Sequence, residues 1–469
     1  MNTETSLREN LRMLAGQAPA AAVPGDFFDR AHKRARRRWA VRGVAVMVLL
    51  LTLSLGLAIR PGGTSVPGGP GAVTVGLPRT LHEPKIWTAS VEQSPPGTAA
   101  VIFGGRATHG GIAEGRFAVV AAGSDRYRVF NDSTPWAIGY EALLSPDGDL
   151  VARSGTVQSL RPDRGVSLTF PNSSPLAFSP DGTLLIYYER GPTTYVDGGQ
   201  HWQSRIVVYD LVSRAETASI DNTDKETPVV AALSPDNSRL ALQVRDQLNL
   251  YRLDGTSLAQ YATVPLHDEA LAGPGAWRPD GRSFVTVRLV NGRSWRLVPF
   301  DAITGTAEPA LALRDVDARY LRVIGWRDDG TAIAVAGVSR RGAPPLQPFR
   351  EYFWRPNADY DSIRARLIEL APAATAPMVL LETPDGVGEL DVAAHLAIAG
   401  QFRDAGNPDY GPLPPFFVKL IAGVLPVLLL GVLVLWLALR RRRRVTQRHG
   451  PRSHYGRGRL GDGSARPGA

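Results

Sequence analysis

The chain has 469 residues, enough for two or three ordinary domains or for one large repeat domain with extensions. It contains no cysteine, which excludes a disulfide framework, thiolate zinc sites, a thiol nucleophile and a cysteine-linked lipid anchor. The net charge of +9 taken alone suggests nucleic acid, but its distribution argues against that partner: residues 1–60 carry +6, residues 413–469 carry +10, and the 352 residues between them carry −7.

Lysine is scarce, with only Lys33, Lys85, Lys225 and Lys419 among 53 basic residues. With so much Ala, Gly and Pro, this composition suggests a GC-rich, actinobacterial-type source. At the N-terminus Leu7, Leu11 and Leu14 share one helical face, and after a linker at 18–25 Asp26 can cap a second helix through Phe27, Phe28 and Ala31. Residues 1–38 are therefore expected to be a cytoplasmic helical and basic segment. Residues 39–59 contain a 17-residue uncharged run behind Arg36, Arg37 and Arg38, and they read as a first transmembrane helix with its leading side in the cytoplasm. The competing reading is a cleaved signal peptide with a small-x-small site at Gly56-Leu57-Ala58, but the long leading region and apolar core weigh against it. A flexible linker is expected over 60–79.

From residue 80 to 405 one five-residue pattern recurs, apolar-polar-Pro-Asp-Gly. It stands at Leu144-Ser145-Pro146-Asp147-Gly148, Phe178-Ser179-Pro180-Asp181-Gly182, Leu233-Ser234-Pro235-Asp236-Asn237, Trp277-Arg278-Pro279-Asp280-Gly281 and Trp326-Arg327-Asp328-Asp329-Gly330. Degenerate copies lie at Ser94-Pro95-Pro96-Gly97 and Thr383-Pro384-Asp385-Gly386. The aspartates Asp147, Asp181, Asp236, Asp280 and Asp329 are 34, 55, 44 and 49 residues apart, a mean of 45.5, which is the length of a four-stranded propeller blade. Asp-Gly or Asp-Asn supplies the positive-φ positions of a tight hairpin turn, and Pro ends the strand before it. Val151, Leu185, Leu240, Phe284 and Ile333 each follow three residues later and begin the next strand.

These units resemble the repeats of TolB-like and WD-repeat-like β-propellers over about residues 80–405. No Trp-Asp dipeptide closes the strands, so the resemblance implies the fold and says little of activity. The expected fold class is an all-β propeller flanked by two transmembrane helices, with seven blades if both degenerate copies count and six if one does not. The strands near 86–91 and 390–398 are expected to close the ring. A linker at 406–418 then leads to a second transmembrane helix at 419–439, stopped on the cytoplasmic side by Arg440, Arg441, Arg442, Arg443 and Arg444 and followed by a basic, disordered cytoplasmic tail at 440–469.

Chemistry-bearing motifs are scarce. No Gly-x-Ser-x-Gly elbow, His-Glu-x-x-His motif or phosphate-binding glycine loop is present, the eight histidines are scattered, and each repeated aspartate reads as a turn residue bonding its own backbone. No catalytic residue, metal ligand or cofactor is assigned, and the chain reads as a non-enzyme. Two insertions break the blade spacing. Residues 191–204 hold Tyr195, His201 and Trp202, and residues 340–362 hold Phe349, Tyr352, Phe353, Trp354 and Tyr360 among arginines. Aromatic residues interleaved with arginine match interface hot spots, so Tyr195, Trp202, Phe349, Tyr352, Phe353 and Trp354 are the candidate binding residues; packing on their own blade is the alternative.

The expected function is a membrane-tethered binding, sensor or scaffold propeller with both termini cytoplasmic. Its partners would be the lipid bilayer, an extracytoplasmic protein, peptide or glycan, and a cytoplasmic regulator at the N-terminus, with no nucleic acid. Two alternatives stand beside it. The apolar stripe of the N-terminus resembles the cytoplasmic ends of anti-sigma factors, which implies a regulator acting there, although the zinc-binding version of that motif needs cysteine. A hydrolase using the propeller funnel would need inward-facing carboxylates or histidines.

Overall fold

Each of the five repeated turns joins a short apolar strand to a second apolar strand, and the computed structural model shows what those hairpins build. The structure describes residue 13 and residues 74–104, 117–130, 138–163, 167–196, 199–222, 230–339 and 363–448. The chain divides into two compact units, Gly62–Lys419 and Met1–Pro61 with Leu420–Ala469.

The first unit is an all-β propeller. Among the described residues its strands form six four-stranded antiparallel sheets; burial falls from one edge to the other except in the sheet that joins both ends of the unit, where the outer strand Tyr127–Val129 is buried too. Blade 2 contains Ala142–Leu144, Leu150–Arg153, Thr156–Ser159 and Ser167–Thr169, and blade 3 contains Ser173–Phe178, Leu184–Val196, Gly199–Asp210 and Ala215–Asn222. Blade 4 contains Val230–Leu233, Arg239–Val244, Gln247–Asp254 and Ser257–Pro265, and blade 5 contains Glu269–Leu271, Ser283–Val290, Ser294–Asp301 and Val316–Asp317. Blade 6 contains Tyr320–Trp326, Ala332–Ser339, Ile363–Leu370 and Met378–Glu382. Blade 1 draws on both ends of the unit: Glu389–Val392 is its innermost strand, beside Ala99–Gly104, Phe117–Ala121 and Tyr127–Val129.

This closure corrects the favoured count of seven. The two degenerate turn copies bracket one blade, since 383–386 precedes its innermost strand and 94–97 precedes its second strand. Counting both counts blade 1 twice. The closing register pairs Val101 with Val392 and Gly104 with Glu389, so the strand at 86–91 expected to close the ring does not do so. Instead Ser90 forms a bridge to Val129, at the outer edge of blade 1. Outside the closing strand, Leu77–Pro78 pairs in parallel with Phe402–Arg403, and two buried arginines fasten the stretch 403–409 to blade 1: Arg403 donates to Asp125 Oδ1 at 2.6 Å and Arg128 to the Asp409 carbonyl at 2.9 Å.

The core lies between blades. Separate clusters of buried apolar side chains join blades 1 and 2, blades 2 and 3, blades 3 and 4, blades 4 to 6, and blades 6 and 1, so every sheet buries both faces against neighbours. Two tryptophans from the repeated turn reinforce these contacts. Trp277 Nε1 donates to the Ala232 carbonyl of blade 4 at 3.0 Å, and Trp326 Nε1 donates to the Gly275 carbonyl of blade 5 at 2.9 Å. Trp326→Phe, which keeps an aromatic but smaller ring and loses the donor, is expected to cost at least about 1–2 kcal/mol in urea denaturation; a variant as stable as the parent would mean that the bond contributes nothing.

The flanking transmembrane helices are a second correction. Residues 39–59 lie outside the described residues. Residues 419–439 fall in a helix, Pro415–Arg448, but among the described residues no helix is long and apolar enough to cross a membrane.

Candidate functional site

The repeated turn is built the same way in successive blades. Ser145 Oγ donates to Asp147 Oδ1 at 2.5 Å, the Asp149 N–H donates to the same oxygen at 3.0 Å, and the Leu150 N–H returns to Ser145 Oγ at 2.9 Å. Asp181 with Ser179 and Asp236 with Ser234 repeat this arrangement, each serine hydroxyl donating at 2.6 Å. Asp280 and Asp329 accept the N–H groups of Arg282 and Thr331 at 2.8 and 2.9 Å. The Ser234 hydroxyl, opposed by partial burial and aided by Ser238, lowers the Asp236 carboxyl to about 2. The positive φ falls on the residue after the aspartate, 79° at Gly148 and 57° at Asn237. These five carboxylates are consumed by their own turns.

After the closing strand the chain forms a short helix, Ala394–Ile398, here α1, on the face where the repeated turns lie. The His395 N–H donates to the Pro146 carbonyl of blade 2 at 3.0 Å, and its Nε2 donates to the Pro180 carbonyl of blade 3 at 2.8 Å. From blade 6, Arg327 Nε donates to the Ile398 carbonyl at 3.0 Å. Contact with the turns of these three blades places α1 across that end of the ring.

The other end carries the connections between second and third strands and between successive blades. The paired positions Ser339 and Ile363, which residues 340–362 connect, end at that face, as does the hairpin pair Val196 and Gly199. Tyr195 and Trp202 stand in that hairpin, opposite Gln200 and Thr193, as part of an extended pair of strands. The side chains of both lie outside the described residues. Phe349, Tyr352, Phe353 and Trp354 lie outside them altogether, as do Arg36, Arg37, Arg38 and the N-terminal leucine stripe. Arg440 to Arg444 continue the C-terminal helix, with Arg440 exposed.

At the axis, side chains that were not singled out in the sequence come together. Arg322, on the innermost strand of blade 6 and only 2% exposed, donates through Nη2 to the Leu390 carbonyl at 2.8 Å and to Asp391 Oδ1 at 3.0 Å. Asp391 Oδ2 accepts the Leu144 N–H of blade 2 at 2.9 Å, and the guanidinium lies over the Tyr140 ring at 5.7 Å. A Cβ at Gly139 would fall 2.4 Å from Nη2, and one at Gly273 would fall 2.5 Å from Cγ. This one side chain thus ties blade 6 to blades 1, 2 and 5. Beside it Glu389 Oε2 accepts the Ile138 N–H at 3.0 Å. One sequence signal was available: Arg322 interrupts the apolar run Tyr320-Leu321-Arg322-Val323-Ile324, and a charge in a buried strand requires a partner.

No family model matches the chain, and no curated protein matches it. Among solved structures it is similar to TolB from Acinetobacter baumannii, at 16% identity over 63% of this chain and 65% of that one, with a TM-score of 0.36. It is also similar to the Cps50 (Swd1) β-propeller domain of Myceliophteria thermophila, at 13% identity over 53% and 88% of the two chains and a TM-score of 0.31. A functionally unknown protein from Desulfotomaculum acetoxidans matches at 10% identity over 63% and 98%, with a TM-score of 0.38. At such identities and scores the likenesses say nothing of function, and the propeller assignment stands on the chain's own six sheets. The propeller fold by itself selects neither binding nor catalysis.

Proposed function

We propose that the propeller is a binding or scaffold module that meets a protein, peptide or glycan at its open face. The observation that carries this reading is that the strands flanking both aromatic insertions end at the face opposite α1. The axial carboxylates favour binding over hydrolysis. Asp391 is committed to Arg322 and the Leu144 N–H, so it is poorly placed to act as a base, and among the described residues Glu389 has no histidine or second carboxylate hydrogen-bonded to it. The site of action we propose is extracytoplasmic and membrane-associated. Its support is the exposed row Val427, Leu430, Leu433, Val434 and Trp436 on the C-terminal helix, with Arg440 stacked on Trp436 at 5.0 Å.

The test is crosslinking on intact membranes followed by purification of the full chain, with Tyr352, Phe353 and Trp354 replaced together by alanine in a parallel sample. The parent is expected in the membrane fraction with a crosslinked partner, and the triple variant in the same fraction without it. Equal capture by both would reject the binding role of residues 340–362, and recovery of the parent in the soluble fraction would reject membrane association.

A further inference from the structure

Four arginines are buried among the described residues: Arg128, Arg319, Arg322 and Arg403. Three of them have an acid, Arg128 with Asp409, Arg322 with Asp391 and Arg403 with Asp125. Arg319 is the exception. It stands on the connection Ala318–Arg319 between the outermost strand of blade 5, Val316–Asp317, and the innermost strand of blade 6, at the face opposite α1. Its backbone is fixed: the Ala318 carbonyl accepts from Trp295 Nε1 at 3.0 Å, and the Arg319 N–H donates to the Gly337 carbonyl at 2.7 Å, two positions before the pair that residues 340–362 connect. The residue is only 7% exposed, and its Nε and Nη1 are buried without a hydrogen-bond partner, which leaves Nη2 as the nitrogen a ligand would reach. The acids beside it have cations of their own, Glu269 with Arg288, Asp315 with Arg296 and Asp317 with Arg293. A guanidinium does not shed its proton, so the charge persists, and enclosing it without a counterion carries a cost that nothing in the described structure offsets.

We propose that Arg319 is the anchor for a carboxylate of a partner protein, an aspartate or glutamate side chain that docks where blade 5 passes into blade 6 and supplies the missing counterion. The proposal rests on the reading of that face as a binding surface and names the chemistry it recognises. One unpaired cation matches the single charge of a carboxylate. A phosphate dianion calls for further cations, and Arg288, Arg293 and Arg296 are already engaged. Val316, Ala318, Leu321 and Trp295 around the connection all belong to one buried apolar cluster. Such surroundings suit the short apolar stem of an acidic side chain and leave the hydroxyls of an acidic sugar without partners.

Arg319→Met, which keeps the length of the side chain and removes the charge, separates this role from a structural one. In urea denaturation of the full chain the variant is expected to be at least as stable as the parent, because an uncompensated charge has gone; a clear loss of stability would make Arg319 a structural residue and overturn the proposal. Thermal unfolding at constant ionic strength then measures binding of acetyl-glutamate amide. This probe is expected to raise the melting temperature of the parent, its neutral glutamine counterpart to leave it unchanged, and Arg319→Met to bind the probe about tenfold more weakly or worse. An equal rise in parent and variant, or a larger rise with galacturonate or inorganic phosphate than with the glutamate probe, overturns the assignment. In the membrane crosslinking experiment Arg319→Met is expected to lose the partner. Equal capture by parent and variant rejects the carboxylate anchor alone, whereas a parent that captures nothing yet shows the glutamate-specific rise rejects the binding reading and retains the site.

Discussion

Replacing Asp391 with alanine is expected to destabilise the propeller by about 3–5 kcal/mol, a large part of what holds a domain folded. The Arg322 side chain it leaves behind is 2% exposed, and its Nη1 has no hydrogen-bond partner even in the intact protein. With the carboxylate gone, the guanidinium charge stays in the interior with the Leu390 carbonyl as its remaining acceptor, and the Leu144 N–H loses its acceptor as well. A buried charge stripped of its partner costs more than the pair contributed, because the desolvation penalty is no longer offset. The paired variant Arg322→Met with Asp391→Leu removes both charges and is therefore expected to recover most of the loss. Asp391→Asn, which retains an acceptor without the charge, should fall between the two. Urea denaturation at neutral pH measures all three. An alanine variant as stable as the parent, or a double variant worse than the single, would show that the pair does not bear on stability.

The contrast between Arg322 and the turns marks how far the sequence could be read. The turns were legible because each is local: serine, aspartate and glycine within five residues form their own hydrogen bonds, and the following apolar residue starts a strand. Val151, Leu185, Leu240, Phe284 and Ile333 all lie in the second strands of their blades and are almost fully buried. The six-blade closure was less legible, because a blade assembled from residues 99–129 and 389–392 has no turn of its own between its first two strands. The axial cluster was not legible at all. Arg322 and Asp391 are 69 residues apart, and Gly139 lies far from both in sequence, so the cluster exists only once the ring closes. The helix α1 follows the same rule. His395 reads as an unremarkable histidine until blades 2 and 3 bring two proline carbonyls to it.

Gly148→Ala is expected to cost roughly 3 kcal/mol or more, and Gly182→Ala about 1 kcal/mol, although the two glycines occupy the same position of the same turn. Their backbones are nearly alike, with φ at 79° and 75°, so the strain of placing an L residue in the left-handed region is common to both. The surroundings differ. At Gly182 the nearest atom to a new methyl would be Pro146 Cδ at 3.7 Å, an ordinary contact, and Gly281 meets Pro235 of the preceding turn in the same way at 3.9 Å. At Gly148 the methyl would fall 1.9 Å from the Ala99 carbonyl oxygen, with the Ala393 methyl at 3.3 Å behind it. That backbone cannot give way cheaply, because the Ala99 N–H is already bonded to the Gly148 carbonyl at 2.8 Å and the Ala393 N–H to the Ala100 carbonyl at 2.9 Å. The added methyl must therefore part the seam where the two ends of the unit meet, whereas at blade 3 it meets only a proline edge. Asn237, a non-glycine residue at φ 57° in the equivalent turn of blade 4, shows that the conformation alone is tolerable. Paired urea denaturation curves measure the difference, and equal losses at the two glycines would mean that the blade 1–2 seam is no tighter than the others.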